Sequence, residues 1–261
     1  MTRSARGARR RGAVSFALVA ILAGAAILGS PWVRDRAEQL AEWAGGKSSP
    51  PARTGPGTPS TSAVDSIRAL EGLIVVAERP DVPGYQRGCA PGEACSFGPA
   101  WTDDSTAPDS RDGCGTRDDV LREQLADVVF RAGSMCVVIG GTLHDPYTGA
   151  VIPYSKTDAA AVQIDHVYPL ARAYDMGAAE WPQDRRTAFA NDTELDLMAV
   201  DGTANLAKGD SGPAEWLPPD PAGTCAYVQR YIDVAGAFGL PITVAEHDVM
   251  SRTLASTDDS A

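Results

Sequence analysis

Five arginines, Arg3, Arg6, Arg9, Arg10 and Arg11, stand in front of an apolar run over residues 13–29. No other feature constrains the chain as much. A basic start followed by an apolar stretch is an export signature, and five flanking arginines do not suit a helix buried in a soluble core. The run is long for the centre of a signal peptide and short of the roughly 20 apolar residues that a spanning helix needs. Small residues at Ala25, Ala26 and Gly29 offer no clean A-x-A cleavage site. The reading leans to a retained anchor with its basic end in the cytoplasm, with a cleaved signal peptide as the alternative. Residues 1–30 are set aside on that ground, and residues 31–44 read as a short helix leaving the membrane. Residues 45–62 are rich in Pro, Gly, Ser and Thr and hold too little apolar surface to order themselves, so they read as a linker. The folded domain is expected over 63–254, followed by a small, polar, acidic tail at 255–261 that frays.

Export makes disulfides plausible for the five cysteines. Cys89 and Cys95 bracket a turn-like Ala-Pro-Gly-Glu-Ala segment that can close a small loop. Cys114 with Cys136 is a reasonable second pair, which leaves Cys225 over, although spacing alone does not fix connectivity. There is no C-x-x-C, and His144, His166 and His247 lie far from any cysteine cluster, which counts against zinc and redox readings. The formal net charge of -11 and the sequence pI of about 4.7 exclude a protein that coats duplex DNA unselectively, because such binding rests on Lys and Arg neutralising phosphates. A local basic cleft on an acidic body remains open.

Within the domain, Thr116-Arg-Asp-Asp119 reads as a capping box with Thr116 as cap. Val120, Leu121, Leu125 and Val128 continue it at helical spacing. Residues 136–139 form a short β-rich run ended by Gly140-Gly141. Asp145-Pro-Tyr-Thr-Gly149 is a turn, and 150–154 reads as a returning strand. Residues 161–164 form a strand leading into Asp165-His166. Pro182 opens a helix to Ala190. Leu195 to Val200 is a second strand, Asp201-Gly202 a turn, and Thr203 caps a short helix to Lys208, stopped by Gly209. Residues 225–238 and 243–254 read as helices, the second behind a Thr243-Val-Ala-Glu246 capping box. Helices and short strands without regular βαβ spacing indicate an α+β domain.

The segment Val162-Gln-Ile-Asp-His-Val-Tyr-Pro-Leu170 sets a carboxylate beside an imidazole at a strand end. About thirty residues on, a strand, a turn and a helix carry Asn205 and Lys208. These two are three apart and share a helix face. A neutral imidazole takes a proton from water, while a hard cation held by carboxylate and amide oxygens stabilises charge on a phosphoryl group. Lys208 as a point charge, and Arg117 bidentately, are candidates to contact a substrate phosphate.

Together with Gly113 to Leu121, Gly141 to Gly149, Phe189-Ala-Asn-Asp192 and Ala204 to Pro219, these pieces resemble the HNH, or ββα-metal, nuclease superfamily. The closer resemblance is to exported HNH-family proteins related to the C-terminal domain of GmrSD-type restriction endonucleases, over residues 73–250. The resemblance implies a ββα-metal core embedded in helices, with Asp165 and Asn205 as metal ligands and His166 as general base. The middle position of the HNH triplet is usually Asn, which steadies the loop and the histidine; Asp196 aligns with it here. The resemblance further implies a divalent cofactor, Mg²⁺ with Mn²⁺ as the alternative, and a nucleic acid substrate, DNA in preference to RNA. Membrane contact follows only if the N-terminal run is retained, and the oligomeric state stays open. The rival reading is a catalytically silent cell-surface binding domain on the same scaffold. His144 is read as structural, His247 as inert, the Trp216 to Pro219 segment as a packed corner, and Arg172, Arg185 and Arg186 as a solvated helix face.

Overall fold

The computed structural model describes residues 63–258. The basic and apolar N-terminal run, the 31–44 segment and the 45–62 linker lie outside the described residues, so the choice between signal peptide and anchor falls there too. Among the described residues no helix is long and apolar enough to cross a membrane.

The described chain runs α1 (Ala63–Glu71), β1 (Val75–Val76), α2 (Thr116–Gln124), β2 (Ala126–Phe130), β3 (Val138–His144), β4 (Val151–Ser155), β5 (Val162–His166), α3 (Leu170–Asp175), α4 (Gln183–Phe189), β6 (Leu197–Asp201), α5 (Gly202–Lys208), α6 (Pro221–Phe238), β7 (Ile242–Thr243) and α7 (Val244–Asp258). The strands make three small sheets: parallel β1-β7, antiparallel β2-β3-β4 and antiparallel β5-β6. The architecture is α+β, as the mixture of periods in the sequence indicates.

The β5-β6 pair lies between two apolar clusters. Period-two alternation sends Val162, Ile164, Leu197 and Ala199 to a cluster with Val120, Leu121 and Leu143. The opposite face carries Met198 and Val200 into an aromatic-rich cluster with Tyr147, Tyr168, Tyr227 and Tyr231. Covered on both faces, β6 reads as an unbroken apolar run, Leu-Met-Ala-Val.

Local chemistry explains most boundaries. Asp220 accepts the Ala222 N–H ahead of Pro221 at the start of α6, and Gly239 at φ 67° closes its end. At α7 the capping box forms reciprocally: Thr243 Oγ1 accepts the Glu246 N–H at 3.2 Å, and Glu246 Oε2 accepts the Thr243 N–H at 2.7 Å. The disulfides Cys89–Cys95 and Cys114–Cys136 are present, with Cys225 free.

Several expectations are corrected. Thr116 is not the cap of α2; Gly115 is, and Thr116 Oγ1 lies within hydrogen-bond distance of Thr102 O and Asn191 Oδ1. The helix stops at Gln124, because Val128 to Phe130 pair as a strand with β3; strand pairing overrides the helical spacing of Leu125 and Val128. The glycine pair does not end β3 but lies inside it. A Cβ on Gly141 would crowd Leu125 and the Ala126 carbonyl, so glycine lets two strands approach closely. Asp201, not Thr203, caps α5, its side chain accepting the Ala204 N–H. The chain stays helical past Leu254 to Asp258. Arg172 is not on a solvated face: it is 1% exposed and pairs at 2.9 Å with Glu215 and with buried Glu246. Arg186 likewise donates to the Ser96, Ala179 and Trp181 carbonyls, while Arg185 stacks its guanidinium over Trp181. Residue type made these arginines candidates for a solvated face but did not reveal what packs against them.

Candidate functional site

Antiparallel pairing sets Asp165 opposite Met198 and His166 opposite Leu197. The β6 strand then turns directly into α5. The corner is tight: a Cβ on Gly202 would collide with the Ala160 carbonyl and crowd the Gln163 side chain. The Gly202 N–H donates to Ala161 O at 3.0 Å, and the Asp201 N–H donates to Asp145 Oδ1 at 2.8 Å. Gly202→Ala is therefore expected to cost about 1–3 kcal/mol by overpacking, read as a lowered melting temperature by circular dichroism; an unchanged melt would show that the corner relaxes freely.

The α5 helix lies across β5, and one of its faces meets one face of the strand. Asn205 Nδ2 donates to Gln163 Oε1 at 2.8 Å. One turn on, Lys208 Nζ reaches Asp165 Oδ1 at 3.0 Å and Oδ2 at 2.9 Å, and donates to the His166 carbonyl at 2.8 Å. Tyr147 Oη donates to Asp165 Oδ2 at 2.5 Å. Asp165 and Lys208 are both buried. Burial raises the Asp165 carboxyl above its ordinary range, against the lowering effects of Lys208 and Tyr147.

His166 leaves the strand on the other side. Its Nε2 lies 3.0 Å from Ala190 O, at the C-terminal end of α4. A carbonyl only accepts, so Nε2 carries the hydrogen and Nδ1 keeps a lone pair. Trp101 stacks on the imidazole at 5.9 Å and 18°. Burial lowers the imidazole pKa to about 3; the Ala190 bond opposes this, while the charges of Arg87 and Lys208 assist it. The ring is neutral at physiological pH. Because its folded pKa lies below the unfolded value near 6.5, the stability it contributes is present above pH 6.5. That stability is lost as pH falls toward 3. In EDTA, wild type is expected to lose about 2 kcal/mol relative to His166→Asn between pH 7 and pH 5, measured by urea denaturation. Parallel pH curves for the two proteins would refute the lowered pKa.

Asp196 is fully buried and sits just before β6. Its main-chain oxygen accepts the Val167 N–H at 2.9 Å, and its Oδ1 accepts the Tyr168 N–H at 2.8 Å. It thus pins the chain immediately after His166. Oδ2 has no hydrogen-bond partner among the described residues. Burial drives this carboxyl well above its ordinary range, the Tyr168 bond opposing and the Asp165 charge adding. An aspartate is close in shape to the asparagine expected at this place, and its Oδ1 accepts a main-chain N–H as an amide oxygen does.

The structure therefore gathers Asp165, His166, Asp196, Asn205 and Lys208 around one ββα unit. Lys208 is not exposed toward a ligand, as expected of a phosphate contact; it is the counter-ion of Asp165. Arg117 is not a free bidentate fork either: its Nη2 donates to Ala159 O at 3.3 Å and Val162 O at 3.0 Å, tying α2 to the start of β5. Sequence reasoning missed Tyr147, Gln163, Trp101 and the Ala190 carbonyl. Tyr147 had a signal in the Asp145 to Gly149 turn, where Asp145 Oδ2 accepts the Thr148 N–H; Trp101 had none. The Trp216 corner is packed, its ring 4.9 Å from Tyr147 and 5.5 Å from Tyr227. His144 lies exposed at the end of β3, and His247 Nδ1 is 3.8 Å from Asp248.

A separate group, Asp112, Cys114 and Asp119, brings its ligand atoms within 4.8 Å of one another. Cys114 is disulfide-bonded to Cys136, and Arg122 lies 3.6 Å from Asp112 and 3.1 Å from Asp119. Burial first, then the Asp112 charge, pushes Asp119 up to about 6. An arginine already meets the demand for positive charge there.

An α+β domain, built around an acidic and imidazole-bearing strand pair that runs into a short helix, is the class that fold and site define. The family model for the C-terminal domain of GmrSD restriction endonucleases matches residues 115–253, more than half of the chain and the whole ββα unit. The chain belongs to that family. A protein of Arthroderma benhamiae described as an uncharacterized secreted protein is 36% identical over 205 residues, covering 78% of this chain and 89% of that protein. No solved structure matches significantly.

Proposed function

We propose that this chain is an HNH-type, metal-dependent endonuclease that hydrolyses phosphodiester bonds outside the cytoplasmic membrane, with His166 as general base. The observation that carries the reading is the orientation of His166: Nε2 is held by the Ala190 carbonyl, which leaves Nδ1 to accept a proton from water. The family match supports a nuclease-like activity, and the secreted relative supports an extracytoplasmic location. DNA is the proposed substrate in preference to RNA.

The donor set fits a hard divalent cation. Asp165 offers an anionic oxygen, while Gln163 and Asn205 bring amide oxygens to the same face of β5 and α5. The Tyr147 hydroxyl, the Lys208 ammonium and the His166 main-chain N–H already contact the Asp165 carboxylate, so a cation there would share Asp165 with Lys208. Asp165 and Asn205 are the proposed ligands, of Mg²⁺ or Mn²⁺. When bound, such an ion supplies charge stabilisation at the phosphoryl and leaving oxygens. The chain itself orients His166 through Ala190 and Trp101, holds Asp165 through Tyr147 and Lys208, and fixes the exit of β5 through Asp196.

One observation favours a second reading, a catalytically silent scaffold: Lys208 already neutralises Asp165. Plasmid cleavage by the purified protein separates the two. Cleavage with Mg²⁺ or Mn²⁺ that stops in EDTA is the expected result, together with calorimetric metal binding that Asp165→Ala abolishes. A protein that binds no divalent ion and leaves the plasmid intact would establish the scaffold reading.

A further inference from the structure

Arg87 lies in a small loop ahead of the segment that the family model matches. The loop is closed by Cys89–Cys95 and laced by main-chain bonds, Ser96 N–H to Gln86 O at 2.9 Å and Cys95 N–H to Gly88 O at 3.0 Å. It docks on α4, where Phe97 meets Phe189 at 5.9 Å and Arg186 Nε donates to Ser96 O. The end of that same helix supplies the Ala190 carbonyl that holds His166. A few residues after the loop comes Trp101, stacked on the imidazole. Arg87 is thereby a neighbour of His166, close enough for its charge to act on the ring.

The guanidinium there is in an unusual condition. Arg87 Nη1 is buried and has no hydrogen-bond partner among the described residues. Burial lowers its affinity for its proton, and Tyr85, not a carboxylate, is the group that opposes this. A buried donor left unpaired is costly and calls for an explanation. In a chain whose formal net charge is -11, Arg87 forms no ion pair among the described residues and its charge acts on the proposed base. An arginine in this state matches one ligand chemistry well, a phosphate or phosphodiester oxyanion.

We infer that Arg87 is a substrate-binding residue that donates to a non-bridging oxygen of the phosphodiester presented to His166. The inference rests on the nuclease reading for the identity of the ligand. It moves the phosphate contact from Lys208, held by Asp165, and Arg117, whose Nη2 is tied to main-chain carbonyls, to a loop outside the ββα unit. It also gives the Cys89–Cys95 bridge a role, holding a cation in place over the site.

The test uses the full chain in EDTA, where metal-dependent cleavage does not occur, and a phosphorothioate DNA oligonucleotide followed by fluorescence anisotropy. Arg87→Ala and Arg87→Gln are expected to weaken binding about tenfold to 100-fold. The slope of log affinity against log salt is expected to fall by about 1. Both variants should melt close to wild type, because Nη1 makes no hydrogen bond to lose. Affinity within twofold of wild type in either folded variant, or no binding by wild type, would overturn the inference. Binding through Arg87 by a protein that cleaves no DNA with any divalent metal would support it and sink the nuclease reading instead.

Discussion

His166→Ala is expected to lower metal-dependent DNA cleavage by about 10²–10⁴-fold while leaving oligonucleotide affinity in EDTA within a few-fold of wild type. The magnitude follows from removing the nitrogen proposed to take the proton of attacking water. The ring is half-buried, neutral and fixed through Nε2, so its loss removes a base rather than a charge that attracts substrate. Kinetics discriminate: the effect should fall on kcat with KM little changed. His166→Gln should not restore the rate, because an amide cannot accept the proton. Cleavage by His166→Ala at more than a tenth of the wild-type rate would remove His166 from the mechanism. The neutral ring also predicts no inflection near pH 6.5 in kcat/KM of the free enzyme, since His166 gains its proton only near pH 3.

Lys208→Met carries the largest expected effect on stability. The ammonium bonds both oxygens of buried Asp165, and its removal leaves a buried carboxylate without a counter-ion, held by the Tyr147 hydroxyl and the His166 main-chain N–H. Breaking one side of a buried pair costs about 3–5 kcal/mol, measured by urea unfolding at pH 7. The penalty has a pH signature. The Asp165 pKa is already raised in the folded protein, and loss of Lys208 raises it further. A group of this kind contributes most below its unfolded value and loses that contribution as pH rises through the folded one. The variant should therefore approach wild type in acid and fall away toward neutral pH. Adding Asp165→Asn should recover much of the loss at pH 7, because no charge is then buried. A Lys208→Met protein as stable as wild type at pH 7 would refute the buried pair.

Much of the candidate site was legible from residue order. Asp165-His166 at a strand end, a second strand, and a helix with Asn205 and Lys208 three apart fix which face of the helix meets the first strand. The structure has that arrangement, with Asn205 on Gln163 and Lys208 on Asp165. The capping box of Thr243 and Glu246 was equally legible, because it is written in residue types at short separation, whereas the cysteine pairing, open from spacing alone, is decided by the fold. Where sequence reasoning failed, distant neighbours decided. Leu125 and Val128 keep helical spacing, yet the pairing with β3 makes their segment extended. Thr116 has the chemistry of a cap, yet Thr102 and Asn191 take its hydroxyl. Arg117 and Lys208 have the charge of phosphate contacts, yet Ala159, Val162 and Asp165 hold them.

The sequence by itself determined the α+β character and the strand, strand and helix order of the site, because each depends on local pattern and covalent succession. Only the tertiary structure decided which cation neutralises Asp165, which nitrogen of His166 faces the Ala190 carbonyl, and that Trp101 stacks on the ring. Those outcomes depend on desolvation and hydrogen-bond geometry between groups far apart in the chain, and neither is encoded in any one stretch of residues.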